Sequence, residues 1–549
     1  MTAASSTTMA DEQLCLPRLL RHAGLVNGRS TVVTQAAASR RRLTFADLAA
    51  RAGRLGSGLQ DLKVGPGTAV ATLLFATDRH LECYLAVPSI GAVLHTLNLR
   101  MHQDELLHVF AEAGDSLLIV EAELLEPLAE FIAKAPGLRG LIVVGGRPEG
   151  VSLPEGVELF FYDDLLRAPA SDLRSLPDCD ERAPAIVCHS GGTTGLPKGV
   201  VYSHRSLWLQ ALSLCTANSL AIGCRDRLLA AIPLYHVNGW GLPFATLMAG
   251  ADLLLPGRAL QADALLATIL EEEPTLAAGI PTLWIDLLEL VRARGITSLG
   301  PLRRIVTGGA PVPKHLHDGL GAFGISVQQA WGMTETSSMS AISQPPAWAE
   351  SAADLEDYAA RQGRIVCGLE VRLADEAGRL LPHDGESVGE VLIRGPWVTE
   401  RYLAGRGGDG FVEGWLKTGD LGRIDADGYL SLTDRAKDAI KSGGEWIPSL
   451  VLEEAIRSCA GIGEVAVIAI PDPRWQERPL ALLVPDAAGT PDLERLAEAL
   501  REVVPRWWVP EAWALVEALP RTTIGKFDKK AMRAAFAAGR YELRRLESS

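Results

Sequence analysis

Long apolar runs are missing from this 549-residue chain, and none approaches the about 18–20 residues that crossing a bilayer demands. Cysteine is sparse. The eight (Cys15, Cys83, Cys179, Cys188, Cys215, Cys224, Cys367, Cys459) are scattered without a C-x-x-C pair. Such spacing excludes a disulfide framework or zinc ribbon and suits reduced thiols. Histidine offers one close pair, His315 and His317, with no third ligand nearby, so no metal held by protein ligands alone is expected. Internal repeats and low-complexity tracts are absent, which excludes solenoids and propellers. Positive charge is in deficit, 53 Lys and Arg against 67 Asp and Glu, for a net charge of −14. A local basic site survives that balance, but broad binding to nucleic acid or an acidic membrane does not. Met1 to Glu12 has neither the basic nor the apolar stretch of a signal peptide, and Glu547-Ser548-Ser549 is no peroxisomal address. A cytoplasmic protein is expected.

What is present is ordinary globular material. Hydrophobic residues make up 48% and charged residues 22%, enough to bury a large core, and the length suggests roughly three or four folding units. Short apolar runs alternate with helix-length segments: 70–75 then 81–90, 228–232 then 240–248, 305–307 then 313–323. That alternation predicts βαβ units and mostly parallel, buried sheets. After residue 370, turn signals such as Asp384-Gly385, Gly407-Gly408 and Asp425-Ala426-Asp427-Gly428 separate short strands, predicting a β-rich subdomain of hairpins. Past Lys437 the pattern is mixed again, with strands at 465–470 and 480–484 and a helix at 493–504. The expected fold is α/β: a large N-terminal body of doubly wound sheets, residues 1–436, with a β-rich subdomain at about 365–436. A small α+β domain would follow at 437–549.

Five segments carry chemistry. In Ala185-Ile-Val-Cys-His189-Ser190-Gly191-Gly192-Thr193-Thr194-Gly195-Leu-Pro-Lys198-Gly199, an apolar strand runs into a loop dense in glycine and hydroxyls, with a single lysine. Glycines free backbone N–H groups to face an anion, hydroxyls add donors, and lysine supplies a point charge for phosphate. Leu196-Pro197 before Lys198 breaks the Walker A pattern. In Gln328-Gln329-Ala330-Trp331-Gly332-Met333-Thr334-Glu335, a strand ends in a turn exposing Thr334 and Glu335. A carboxylate beside a triphosphate needs a hard cation between the two anions, and Mg²⁺ fits; a surface glutamate in a helix's first turn is the plainer alternative. Asp420, in Lys417-Thr418-Gly419-Asp420, can accept from ribose hydroxyls; Arg435 could instead make a structural ion pair with Asp434 or Asp438. Lys441-Ser442-Gly443-Gly444-Glu445-Trp446 sets two glycines before an aromatic, a surface along which a second ligand could slide. Pro448 opens a helix that places Glu453 and Glu454 near its positive end. Pro520 to Lys529 contains Lys526, by itself a solvated cation.

Taken together these segments resemble the adenylate-forming superfamily, which includes acyl-CoA synthetases, peptide-synthetase adenylation domains and luciferases. The likeness runs from about residue 40 to about 535. It implies ATP, Mg²⁺ and coenzyme A, and a two-step reaction: carboxylate attack on the α-phosphate gives acyl-AMP and pyrophosphate, and the CoA thiol then displaces AMP. The implied catalytic residues are Lys526, Glu335, Thr334 and His236, with Ser190 and Glu335 toward the metal. Ser190, Gly192, Thr193, Thr194 and Lys198 would meet phosphates. Gly309, Gln329, Ala330 and Trp331 would frame the adenine, and Asp420 and Arg435 the ribose. Lys437 would be the hinge of a mobile C-terminal domain, and Lys441, Gly443, Gly444 and Trp446 would serve CoA. The superfamily usually starts the phosphate loop with Tyr or Phe, Thr, then Ser; this chain has His189, Ser190, Gly191.

The segment Pro233-Leu-Tyr-His236-Val237-Asn-Gly-Trp240 resembles the acyl-gating region of bacterial medium- and long-chain fatty acyl-CoA synthetases. Val237, Trp240 and Ile280 would line the acid site, where no Arg or Lys stands ready for a second carboxylate. A fatty acid–CoA ligase is therefore expected. A ligase for a branched, aromatic or other hydrophobic acid, or one loading a carrier protein, is the alternative. The partners implied are small molecules, and the resemblance also allows a homodimer.

Overall fold

A computed structural model describes residues 8–35, 40–148, 150, 153–169, 172–190, 196–310, 312–443, 445–486, 489–521 and 527–546. The chain divides into two compact units. One comprises Met1–Ser190, Pro197–Leu369 and Arg394–Gly408; the other comprises Gly191–Leu196, Glu370–Ile393 and Asp409–Ser549.

Two sheets build the first unit. In one, strands run in the order Glu158–Phe161, Gly140–Val144, Asp115–Glu121, Ala69–Leu73, Val93–Thr96, Pro184–His189, Gly199–Ser203. All neighbours are parallel except the last pair, which forms an antiparallel hairpin. Ala69–Leu73 and Gly140–Val144 are buried along their whole length, which is why they read as continuous apolar runs. The other sheet contributes Arg227–Ala230, Leu276–Gly279, Arg304–Gly308 and Ser326–Met333 as parallel neighbours. Ser338–Ile342 then returns antiparallel. Helix Pro281–Ala293, with proline at its tolerated first position, buries Trp284, Leu287, Leu288 and Val291 against Leu316 and Leu320.

The strand–helix alternation read from the sequence appears as Ala69–Leu73 with Asp78–Ser89, Arg227–Ala230 with Leu242–Ala249, and Arg304–Gly308 with Lys314–Gly321. One helix starts later than expected. Trp240 precedes it, in a run of left-handed residues from Val237 to Gly241, with φ of 38°, 42°, 59°, 58° and 71°. Glycine at 239 and 241 tolerates that region, and the run sets Trp240 apart from the helix.

In the second unit, neighbouring strands run in the order Leu380–Leu381, Glu370–Ala374, Gly389–Arg394, Trp415–Ile424, Tyr429–Arg435, with the first pair and the last two pairs antiparallel. The Asp425–Gly428 turn closes its last hairpin, with Asp425 accepting from the N–H groups of Asp427 and Tyr429. Beyond it, the long pair Ile462–Asp472 and Gln476–Pro485 is joined in parallel by Ala512–Leu515. Helices Ser449–Arg457 and Leu493–Arg501 cover one side, enclosing Trp513. The architecture is mixed α/β, and its sheets are mixed rather than wholly parallel.

Candidate active site

Ligands of open α/β sheets sit beyond the carboxyl ends of the strands. At that edge of the first unit, Gly308 lies opposite Ala330 in the parallel ladder. Gly309, Ala330 and Trp331 therefore come together on neighbouring chains, with Ile280 following the next strand and 231–241 the one after. Gln329 is buried and pinned by Ser343, whose hydroxyl accepts from its N–H at 2.7 Å. At Gly332 an added Cβ would lie 1.5 Å from the Ser338 carbonyl oxygen, so only glycine lets the chain double back here.

That reversal delivers Thr334–Thr336, a single 3-10 turn, with Glu335 6% exposed. A buried carboxylate needs partners. The Tyr402 hydroxyl donates to Glu335 Oε1 at 2.8 Å, and the Thr399 N–H donates to the Glu335 carbonyl at 2.8 Å. The Tyr202 hydroxyl donates to the Thr334 carbonyl at 2.6 Å, tying the turn to the neighbouring sheet. Burial lifts the Tyr202 phenol well above its ordinary range, so it stays a donor. Glu335 is thus no surface residue. Among the described residues Oε2 takes no hydrogen bond, so one oxygen of a fixed, hard donor is available, which suits Mg²⁺.

Lys198 arrives from the other sheet. The Ser190 N–H donates to the Lys198 carbonyl at 2.9 Å, closing the hairpin of Pro184–His189 with Gly199–Ser203. The Lys198 ammonium stands 4.8 Å from the centre of the Tyr402 ring. One phenol therefore links the carboxylate and the cation: its hydroxyl holds Glu335 and its face carries Lys198. Gly192, Thr193 and Thr194 lie outside the described residues.

Trp240 is half-buried, its indole set against Gly308, where an added Cβ would come within 3.5 Å of Cη2. Its carbonyl accepts from the Ser338 hydroxyl at 3.0 Å, and Ser338 accepts from Gln210 Nε2 at 2.9 Å. Val237 is buried, Ile280 is 38% exposed, and the His236 N–H donates to the Pro233 carbonyl at 3.0 Å.

Within the second unit, Asp420 is buried and faces Arg435 across the Trp415–Ile424 and Tyr429–Arg435 hairpin, with Nε 2.7 Å from Oδ1. Neither alternative partner takes Arg435. Asp438 pairs with Arg533 at 3.0 Å, while Asp434 is buried and accepts from the Ser449 N–H. Lys437 stands exposed at the end of that hairpin. Lys441 holds Glu376 at 2.7 Å and lies 5.5 Å from the Trp446 ring centre. Gly443, at φ 62°, donates to the Trp475 carbonyl at 2.8 Å. Glu453 turns inward, accepting from the Val467 N–H at 2.8 Å and from buried Lys529 at 2.7 Å, so its partner is an ammonium rather than the helix dipole. Gly444 and Lys526 lie outside the described residues.

Sequence reasoning passed over Tyr402, Tyr202 and the partners of His189. Tyr402 sits 67 residues beyond Glu335, and no local pattern marks it.

Comparison with known proteins places the chain in a family. Residues 21–403 match the AMP-binding enzyme family, and residues 451–526 match the AMP-binding enzyme C-terminal domain. A long-chain-fatty-acid–CoA ligase of Thermus thermophilus is 38% identical over 96% of this chain and 97% of its own. A 3-methylmercaptopropionyl-CoA ligase of Ruegeria pomeroyi is 36% identical over 96% and 98%. Among solved structures, an anthranilate CoA ligase in complex with anthranoyl-AMP superposes with a TM-score of 0.82 at 25% identity, covering 96% of this chain and 98% of that one.

Proposed function

The chain belongs to the AMP-binding enzyme family as an AMP-forming acyl-CoA ligase, and on that premise we propose that it activates a medium- or long-chain fatty acid. The carboxylate attacks the α-phosphate of ATP, forming acyl-AMP and releasing pyrophosphate; the CoA sulfur then attacks the acyl carbon and expels AMP. The observation that carries this reading is the Glu335–Tyr402–Lys198 arrangement at the strand ends. It sets a fixed carboxylate and a fixed ammonium on one phenol, as an adenylating site requires.

Lys198 and Ser190 bind the outer phosphates. Glu335, with Ser190, would hold Mg²⁺, which when bound neutralises phosphate charge. Thr334 contacts the α-phosphate, while Gly309, Gln329, Ala330 and Trp331 frame the adenine and Asp420 with Arg435 takes the ribose. Lys526 brings a cation to the α-phosphate, where charge develops as the new bond forms. The domain beyond Lys437 moves between the half-reactions, exchanging Lys526 for the Lys441–Trp446 segment that lines the way for CoA. His236, Val237, Trp240 and Ile280 border the acyl chain. No protein nucleophile is needed.

The 36% likeness to the methylmercaptopropionyl ligase favours a second reading, a short hydrophobic acid. Pyrophosphate release scored over unbranched acids of graded length, with propionate and aromatic acids alongside, decides between them. A kcat/KM that peaks at medium or long chains supports the proposal; a maximum at three to five carbons overturns it. Replacing CoA by a holo-carrier protein separates the two acceptors, and free CoA is the expected one. Among the described residues no helix is long and apolar enough to cross a membrane, which is consistent with the cytoplasmic placement we propose. A homodimer is the proposed assembly, and light scattering at twice the 58.7 kDa chain mass is the expected result.

A further inference from the structure

A chain of buried ionisable groups lies behind the phosphate hairpin, all of it within the first unit. Asp115 Oδ2 is 2.6 Å from His95 Nδ1, His95 Nε2 is 2.9 Å from His189 Nδ1, and His189 Nε2 is 3.0 Å from Glu112 Oε2. The side chains are 0% exposed at Asp115 and His95 and 2% exposed at His189 and Glu112. Arg406 Nε forms an ion pair with Glu112 Oε1 at 3.1 Å, and Arg406 Nη1 lies 2.9 Å from His108 Nε2. Five elements are tied in this way: the strand Asp115–Glu121, the strand Val93–Thr96, the helix Gln103–Ala113, the end of the strand Pro184–His189, and the segment carrying Tyr402 and Arg406.

Proton bookkeeping shows how so much charge is tolerated in the interior. Three hydrogen bonds in series need three protons, shared among two imidazoles and two carboxyl groups. One lies between Asp115 and His95, where burial lifts the carboxyl. Burial alone would lift Glu112, but His189 and Arg406 outweigh it and hold its carboxyl below the ordinary range. Among the described residues Glu112 Oε1 and Asp115 Oδ1 take no hydrogen bond, but the bonds through the ring nitrogens and the other two carboxylate oxygens make the network costly to break at any one member.

Two of its members lie at the phosphate site. His189 precedes Ser190 directly, and the Ser190–Lys198 pair closes the same hairpin. Arg406 precedes Gly407, where an added Cβ would lie 2.8 Å from the Lys198 ammonium. We propose that His189 is a positioning residue for ATP: it transmits the Asp115–His95 anchor to Glu112 and Arg406, fixing Ser190 and the turn on which Lys198 rests. The inference depends on the reading that this site binds ATP. It predicts that the network matters for the outer phosphates and not for the nucleoside.

The test is calorimetric titration of the full-length protein with MgATP and, separately, with AMP. His189→Ala should raise the Kd for MgATP about tenfold and that for AMP less than about twofold, with the KM for ATP rising in step and kcat held within about twofold. His189→Gln, whose amide can donate to Glu112, should recover most of the loss. Should His189→Ala not fold, Glu112→Gln serves in its place, since it keeps a bond to His189 but discharges the partner of Arg406; the same split is expected. Unchanged MgATP affinity, or equal weakening of MgATP and AMP, would overturn the proposal. Wild-type protein that binds neither nucleotide would instead bring down the functional reading beneath it.

Discussion

Tyr402→Phe isolates the bond on which Glu335 depends. The substitution removes the hydroxyl 2.8 Å from Oε1 and keeps the ring beneath Lys198. A hydrogen bond to a charged group contributes roughly 1.5–3 kcal/mol, so kcat/KM for ATP should fall about 10- to 100-fold. Tyr402→Ala also removes the aromatic face and should cost about two- to fivefold more, the worth of a partly exposed cation–π contact. Steady-state pyrophosphate release, followed across a Mg²⁺ titration, measures both. The decisive form is a double-mutant cycle with Glu335→Gln. If the phenol acts through the carboxylate, adding Tyr402→Phe to Glu335→Gln costs little more, and the coupling exceeds about 1 kcal/mol. Additive losses, or a Tyr402→Phe enzyme within about twofold of wild type, would refute the reasoning.

Further outcomes follow from the same structure. Lys529→Met leaves Glu453 and Asp434 buried without their ammonium, which should lower stability by about 3–5 kcal/mol in urea denaturation followed by circular dichroism. Burial holds His80 at about 3 and His204 at about 4, against 6.5 for an exposed imidazole. As pH falls below 6.5 the unfolded chain binds protons that the folded one refuses, so stability present at neutral pH is lost on the way to pH 4, on the order of 3 kcal/mol for each histidine. Thermal melting across that window should show the slope, and His204→Gln should flatten it; an unchanged slope would contradict the assignment. Lys526→Ala should abolish acyl-AMP formation yet leave thioester formation from supplied acyl-AMP within about threefold, and equal loss of both halves would refute its proposed role.

Much of this was legible in the sequence where the signal is local. Buried parallel strands such as Ala69–Leu73 announce themselves as unbroken apolar runs, and the Thr334-Glu335 turn stands out because glycine and two hydroxyls flank a carboxylate. Trp240 was legible as a residue but not as a conformation: Gly239 and Gly241 mark a turn, yet five successive left-handed residues depend on Ser338 and Gln210, about 100 and 30 positions away. The partners of functional groups were the least visible. Arg435 has acidic neighbours at 434 and 438 and pairs instead with Asp420, because antiparallel register sets them opposite each other. His189 sits inside the most conspicuous string of the chain. Its meaning lies in His95, Glu112 and Asp115, which only the fold brings to it.

Everything proposed here turns on an acyl-adenylate made before CoA is engaged. Exchange of radiolabelled pyrophosphate into ATP, measured without CoA, tests that order directly. The account predicts exchange that requires both Mg²⁺ and a fatty acid and that disappears in Glu335→Gln. Exchange independent of the acid, or thioester formation that yields ADP and phosphate with no exchange at all, would contradict it.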